Sequence, residues 1–490
     1  MSIWLNDIKI DRGSSAPPAY LQLAEYIIYL IQSGKIAPGE RLPSIRDVSA
    51  KIDVNRGTVL SAYRKLQEKG IVELRVGKGT IVTAGLSLET KPEFSLPPLE
   101  THFNLKGREL SGWFPRHKEI PFSLAAPDPI LIPREEIKEA IKRLLETETE
   151  KILSYSFPEG DDGFREVYAT FLKGKGMPVG EDWILPTTGA TQAFDLIAKG
   201  LDYGKPVLLE EPLYIGSLKS FSLWSQEIDR IPLEEDGISL DHIKRLLSQG
   251  RDPRLIVITP DFQNPTGSTL SLKKREEIAW LAKKYDFLIL EDAVFSDLHY
   301  EKPLPSVLAL APERVIRVDS FSKTLAPGLR LGTIVAHPQI LEFLIPLKQA
   351  TDYQTPYLAQ ATMRELISSG FWCKHLVRIQ KAYRKKREVL KEALDSMGKE
   401  IFSFCTPSGG FFFWLEIRTG TDAQELLSLA SSRGVSFAPG FLFSSRIEHR
   451  HFLRLSFSSV PAEKIKEGVK ILRQSWEELS SQRIPSLPQI

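Results

Sequence analysis

The chain has 490 residues, with 64 Lys and Arg against 62 Asp and Glu, for a net charge of +2. That length exceeds one ordinary domain, so two or three are expected, and the near-balance of charge excludes a uniform polycation. Hydrophobic residues at 42% and charged residues at 26% are ordinary for a globular protein.

Cys373 and Cys405 fall in no CxxC or metal-ligand spacing, so a reducing compartment and no metal site are expected. No apolar run reaches about 18 residues, and MSIWLNDIKIDRG lacks the apolar core of a signal peptide. The expectation is a soluble cytoplasmic protein that does not enter a membrane.

Tyr20, Leu23, Ala24, Ile27, Ile28 and Ile31 recur at helical spacing, and Gly34 ends that helix. Ser44 with Asp47 three positions later reads as a capping box opening a second helix. Asn55 can cap a third, whose apolar stripe is Val59, Ala62, Tyr63 and Leu66. Two β runs, 71–75 and 80–83, follow around Val76-Gly77-Lys78-Gly79. Three helices and a β-ribbon predict a winged helix-turn-helix over residues 1–85. Between Gly34 and Thr80 ten Lys and Arg face five Asp and Glu, a local net charge of +5 that suits DNA phosphates. Arg56 opens the third helix, where a recognition helix presents side chains to base edges. Arg46 and Lys78 are better placed for backbone contacts.

Pro92, Pro97, Pro98 and Pro115 break all periodicity from Leu86 onward, so residues 86–120 read as a linker. From residue 121 to 490, apolar runs PVLLEE (206–211), RLIVITP (254–260), FLILED (287–292), RVIRVD (314–319) and LGTIVA (331–336) alternate with helical patterns near 190–200, 240–249, 271–285 and 357–398. This predicts an α/β domain with a mainly parallel sheet covered on both faces, and ligands at the carboxyl ends of its strands.

The candidate chemistry sits at those ends. Gly189, Ala190 and Thr191 open a helix, whose free N–H groups suit a phosphate. Tyr214 follows a strand in EEPLY and offers a flat ring. Asn264 lies in QNPTG and Asp292 ends FLILED. Ser320, Ser322, Lys323 and Arg330 lie in SFSKTLAPGLRLG. Taken singly, these are equally a helix start, a packed tyrosine, a turn residue, a helix cap and surface charges. Together, a lysine amine beside an anion clamp is what pyridoxal 5'-phosphate (PLP) requires: the amine forms a Schiff base with the aldehyde while serines and a guanidinium hold the phosphate.

Nearly all of residues 17–83 resembles the GntR-type winged helix, through P-G-x-R-L-P-S-x-R, R-x-T-V-x-x-A-Y and G-x-G-T. That resemblance implies DNA contacts from Ser44, Arg46, Arg56, Thr58, Tyr63, Lys78 and Gly79. Residues 121–475 resemble class I aminotransferases of fold type I, with a smaller C-terminal subdomain. The resemblance implies Lys323 as the Schiff-base lysine, Asp292 as partner of the pyridinium nitrogen, Asn264 as donor to the phenolic oxygen and Tyr214 as the stacking ring. Gly189, Ala190, Thr191, Ser320, Ser322 and Arg330 would hold the phosphate. Arg454 would grip a substrate carboxylate, and Tyr155 would reach the phosphate of the other subunit of a homodimer. The family's usual Tyr after the strand-ending Asp is missing, since Val294 and Phe295 stand there; PLP binding is expected to survive this, and efficient transamination is not.

The fusion as a whole resembles the MocR/GabR subfamily of bacterial regulators. It implies a PLP-dependent transcriptional regulator in which an effector amine displaces Lys323 from the cofactor aldehyde. The alternative is a working aminotransferase with an appended DNA-binding domain.

Overall fold

The computed structural model describes residues 8, 10–13, 16–32, 35–75, 79–83, 120–200, 204–224, 227–444 and 446–483. The chain packs as two compact units, Met1–His102 and Phe103–Ile490.

In the first unit, helices α1 (Ala19–Gln32), α2 (Ile45–Ile52) and α3 (Arg56–Glu68) precede an antiparallel ribbon of β1 (Val72–Arg75) and β2 (Gly79–Val82). Both predicted caps form. The Ser44 Oγ accepts from the Asp47 N–H at 3.2 Å and donates to the Asp47 carboxylate at 2.6 Å. The Asn55 Oδ1 accepts from the Thr58 N–H at 2.7 Å. Leu23, Ile27, Val48, Val59, Ala62 and Leu66 are fully buried and give the unit its own core. At roughly 1.5–3 kcal/mol per buried aliphatic side chain, that core is what allows so small a unit to fold.

In the second unit an eight-stranded sheet runs β4 (Ile184–Thr187), β11 (Gly332–Val335), β10 (Val315–Ser320), β9 (Leu288–Asp292), β8 (Leu255–Ile258), β5 (Val207–Glu211), β6 (Ile228–Glu234), β7 (Gly237–Ile238). The five strands from β10 to β6 are parallel, while β11, β4 and β7 pair antiparallel at the flanks. Alternate residues of one strand enter opposite cores: Ile256 and Ile258 pack on one face of the sheet, Leu255 and Val257 on the other. This is why the strands read as unbroken apolar runs. A second, antiparallel sheet orders β12 (Phe402–Phe404), β13 (Phe412–Ile417), β16 (Phe452–Ser456) and β15 (Ala438–Pro439). Beside it β3 (Ile120–Pro121) pairs parallel with β14 (Val435–Ser436).

One helical prediction is corrected. The pattern across 357–398 forms two helices, Tyr357–Ser368 and Phe371–Asp395, divided at Gly370 with φ +70°. An L side chain resists that conformation, so the apolar period continues while the helix does not. Among the described residues, no helix is long and apolar enough to cross a membrane, and no group of His, Cys, Asp and Glu is arranged to hold a metal ion.

Candidate functional site

The carboxyl ends of β9, β10, β8 and β5 converge on a cavity of about 210 Å³. Its lining brings together Ala190, Thr191, Tyr214, Asn264, Asp292, Ser320, Ser322, Lys323 and Arg330, nine of the positions singled out from sequence. It also includes Ala125, Phe194, Thr259, Val294 and Phe295. Phe194 and Thr259 carried no usable sequence signal, because one is an apolar helix position and the other a strand-end threonine.

One wall is an anion cradle. Arg330 donates from Nη2 to the Thr188 carbonyl at 3.1 Å and from Nη1 toward the Ser322 Oγ at 3.5 Å. Gly189 has φ +102°, and a Cβ there would lie 2.8 Å from the Arg330 Nη2. Glycine is therefore required for the guanidinium to lie against the start of the helix Ala190–Gly200. Ala190 and Thr191, at the start of that helix where N–H groups lack intrahelical acceptors, line the cavity together with Ser320 and Ser322.

Lys323 follows β10 and donates from Nζ to the Ala125 carbonyl at 2.6 Å. Burial, reinforced by the positive charges of Arg454 and Arg330, pushes its amine down to about 8. A fraction of the amine is thus unprotonated near neutral pH, as a nucleophilic lysine requires. Asp292 ends β9 and accepts a backbone bond from Val294 at 3.2 Å. Burial drives its carboxyl up to about 7. Among the described residues no cation lies at ion-pair distance from it, so it is a buried acceptor suited to an N–H⁺ group in the cavity.

Arg454 lies on β16 and is 4% exposed. Its guanidinium lies between Phe412 and Phe443, at 4.6 and 5.0 Å from the ring centroids. It donates to the Asn264 Oδ1 at 2.8 Å and to the Ser123 carbonyl at 2.7 Å, while its Nε has no partner. Burial pulls its pKa down to about 10. A buried guanidinium without a counter-carboxylate is costly, and a ligand carboxylate would relieve that cost. The Asn264 oxygen is engaged by Arg454, which leaves its amide N–H₂ as the donor toward the cavity.

Two predicted residues stand apart. Tyr155 is 87% exposed and meets Tyr353 edge-on, with ring centroids 5.5 Å apart, outside the cavity lining. Tyr63 is corrected from a DNA-contacting residue to a core residue: it is 0% exposed, and its hydroxyl donates to the Pro43 carbonyl at 2.8 Å. Its place in the apolar stripe of α3 explains this. Arg46 and Arg56 are exposed and Thr58 is half-buried. Gly79, at φ +86°, lies beneath the Arg41 guanidinium, whose Nε would be 2.5 Å from an added Cβ; in the sequence Arg41 counts among the basic residues and in the P-G-x-R-L-P-S-x-R motif, with no contact of its own assigned. Lys78 lies outside the described residues.

The family model of class I and II aminotransferases matches residues 124–472, and that of bacterial regulatory proteins of the gntR family matches residues 19–82. The chain belongs to the class I and II aminotransferase family, with a gntR-family helix-turn-helix domain fused ahead of it. It is 36% identical over 378 residues to a 2-aminoadipate transaminase of Thermus thermophilus, covering 76% of this chain and 94% of that one. It is 29% identical over 480 residues to the uncharacterised HTH-type transcriptional regulator YdfD of Bacillus subtilis, covering 95% of this chain and 97% of that one. Among solved structures, LysN, an alpha-aminoadipate aminotransferase of Thermus thermophilus complexed with N-(5'-phosphopyridoxyl)-L-leucine, superimposes with a TM-score of 0.71 at 35% identity, over 76% of this chain and 95% of that one.

Proposed function

We propose that this protein is a DNA-binding transcriptional regulator whose aminotransferase-like unit binds PLP and senses an amino acid or related amine. The observation that carries the reading is one chain holding both a winged helix with Arg41, Arg46 and Arg56 exposed and a cavity that collects Lys323, Asp292 and Arg330 beside the Gly189 helix start. YdfD, similar along nearly the whole chain, carries the name of an uncharacterised HTH-type transcriptional regulator.

The residues present fit the cofactor. The Gly189–Arg330 cradle suits its phosphate, the unpaired Asp292 its ring nitrogen, and Lys323 its aldehyde. PLP, when bound, supplies an aldehyde that condenses with amines and a ring that withdraws electrons. The chain supplies the rest. Arg330, Ser320 and Ser322 bind and orient the phosphate. Asp292 holds a proton on the ring nitrogen, and Asn264 donates to the phenolic oxygen. Arg454 receives the carboxylate of the incoming amine, and Phe295 excludes water from beside Lys323. An effector that binds two conformations unequally shifts their balance, and the winged helix is the output of that shift.

The exposed Tyr155, with Leu153 at 80% and Phe157 at 76% exposure, supports assembly as a homodimer in which this face meets a second copy. A working transaminase is the second reading, supported by the depressed lysine pKa and by the 36% identity to a transaminase. The purified protein with PLP decides between them under a panel of L-amino acids. A lasting change in the visible absorption of the bound cofactor, together with altered DNA affinity, supports the sensor. Steady conversion of amino acid and 2-oxo acid without any change in DNA affinity overturns it.

A further inference from the structure

Behind the cavity lies a buried carboxylate with no role in the scheme above. Glu210, at the end of β5, is 2% exposed, and no cation among the described residues pairs with it. Its Oε1 accepts the Thr259 N–H at 3.0 Å, and its Oε2 faces the Gln263 Nε2 at 3.4 Å. Gln263 is 0% exposed and every part of its side chain is committed. Its Nε2 also donates to the Pro212 carbonyl at 2.8 Å, and its Oε1 accepts from the Thr266 N–H at 3.0 Å and Oγ1 at 2.7 Å. The next residue is Asn264, whose oxygen holds Arg454. A buried line therefore runs from Glu210 through Gln263 and Asn264 to the guanidinium.

Maintaining an uncompensated carboxylate in an apolar interior is unfavourable. It is understandable where an oxygen acceptor on each side is needed, because a glutamine would turn an N–H₂ toward either the Thr259 N–H or the Gln263 N–H₂. We propose that Glu210 is a positioning residue: it fixes the Asn264 side chain against Arg454 through Gln263, and so makes the site select amines that carry a carboxylate. This rests on Arg454 as the receiver of that carboxylate. Glu210 does not line the cavity, so it acts only through its neighbours.

The test uses two probes that differ by one group, N-(5'-phosphopyridoxyl)-L-leucine and N-(5'-phosphopyridoxyl)-isoamylamine, with calorimetry on the full-length chain prepared without PLP. Wild type is expected to bind the leucine adduct more tightly. Glu210→Gln and Gln263→Leu are each expected to cut that preference by about tenfold, the scale of one hydrogen bond to a charged group, beyond any smaller loss both adducts share through the Asn264 bond to the phenolic oxygen. Acting through Asn264, Glu210→Gln is expected to add nothing on top of Asn264→Ala. If both adducts weaken equally, Glu210 only supports the fold and the proposal is overturned. It is equally overturned if the variants keep the preference, or if the double variant is worse than Asn264→Ala by the full single effect. No preference in wild type would instead refute the role of Arg454.

Discussion

Lys323 and Arg454 are buried cations without a carboxylate at ion-pair distance among the described residues, and Asp292 and Glu210 are buried carboxylates without a cation. Burial is the largest cause of all four shifts, as transfer from water disfavours the charged form. Asp292 and Glu210 both titrate near 7 in the fold and several units lower when unfolded. The folded state therefore holds more protons from about pH 4 to 7, so the stability these groups contribute is present below that window and lost as pH rises through it. Without PLP, the large unit should lose resistance to denaturant across this range, and the Asp292→Asn, Glu210→Gln pair should flatten the profile. A wild-type profile without this fall would contradict the assignment. Lys323 has the depressed pKa of a buried amine, so its proton excess lies in the unfolded chain and stability rises with pH from about 8 to about 10.5. Lys323→Ala should abolish that rise and replace the absorption of lysine-linked PLP by that of the free aldehyde, held only by non-covalent contacts.

The elements that position these residues were legible where local chemistry and burial agree. The strand ends at Asp292 and Ser320 fall within one residue of the apolar runs that predicted them. The caps at Ser44 and Asn55 formed because a side-chain oxygen before an apolar period has few better partners than the helix N–H groups. Asn55→Ala should therefore cost the small unit about 1 kcal/mol, measured as a lower melting midpoint. Long-range packing was not legible. Nothing in PDFQNPTG tells that Gln263 is clamped from three directions, or that the Asn264 oxygen turns to a strand 190 residues away in sequence. Tyr63 misled because one apolar stripe serves both as core and as a motif that resembles a DNA-binding family. Gly189 marks where backbone and chemistry coincide. Gly189→Ala, strained at φ +102° and crowded by Arg330, should weaken PLP binding by at least about tenfold, while Gly174→Ala, with open space around it, should not.

At the scale of the whole molecule, the charge balance hides a division of labour. The segment from Gly34 to Thr80 carries +5, so the remainder sums to −3 out of the total of +2. DNA affinity should accordingly fall steeply with salt, and Arg46→Ala should reduce the slope of log affinity against log salt by about one unit if it meets a phosphate. If the proposed homodimer forms through this face, replacing Leu153 and Phe157 by Glu should leave a monomer in sedimentation, since both are large apolar groups exposed on one short stretch. The central claim is that one site governs the other. The most direct measurement titrates L-amino acids into full-length protein with PLP and a labelled DNA fragment selected by the protein from a random library, recording cofactor absorbance and DNA anisotropy in the same cuvette. For at least one amino acid the two signals should move together with a common midpoint, and Lys323→Ala should abolish both responses. An absorbance change at unchanged DNA affinity, across every amino acid that binds, would contradict the account.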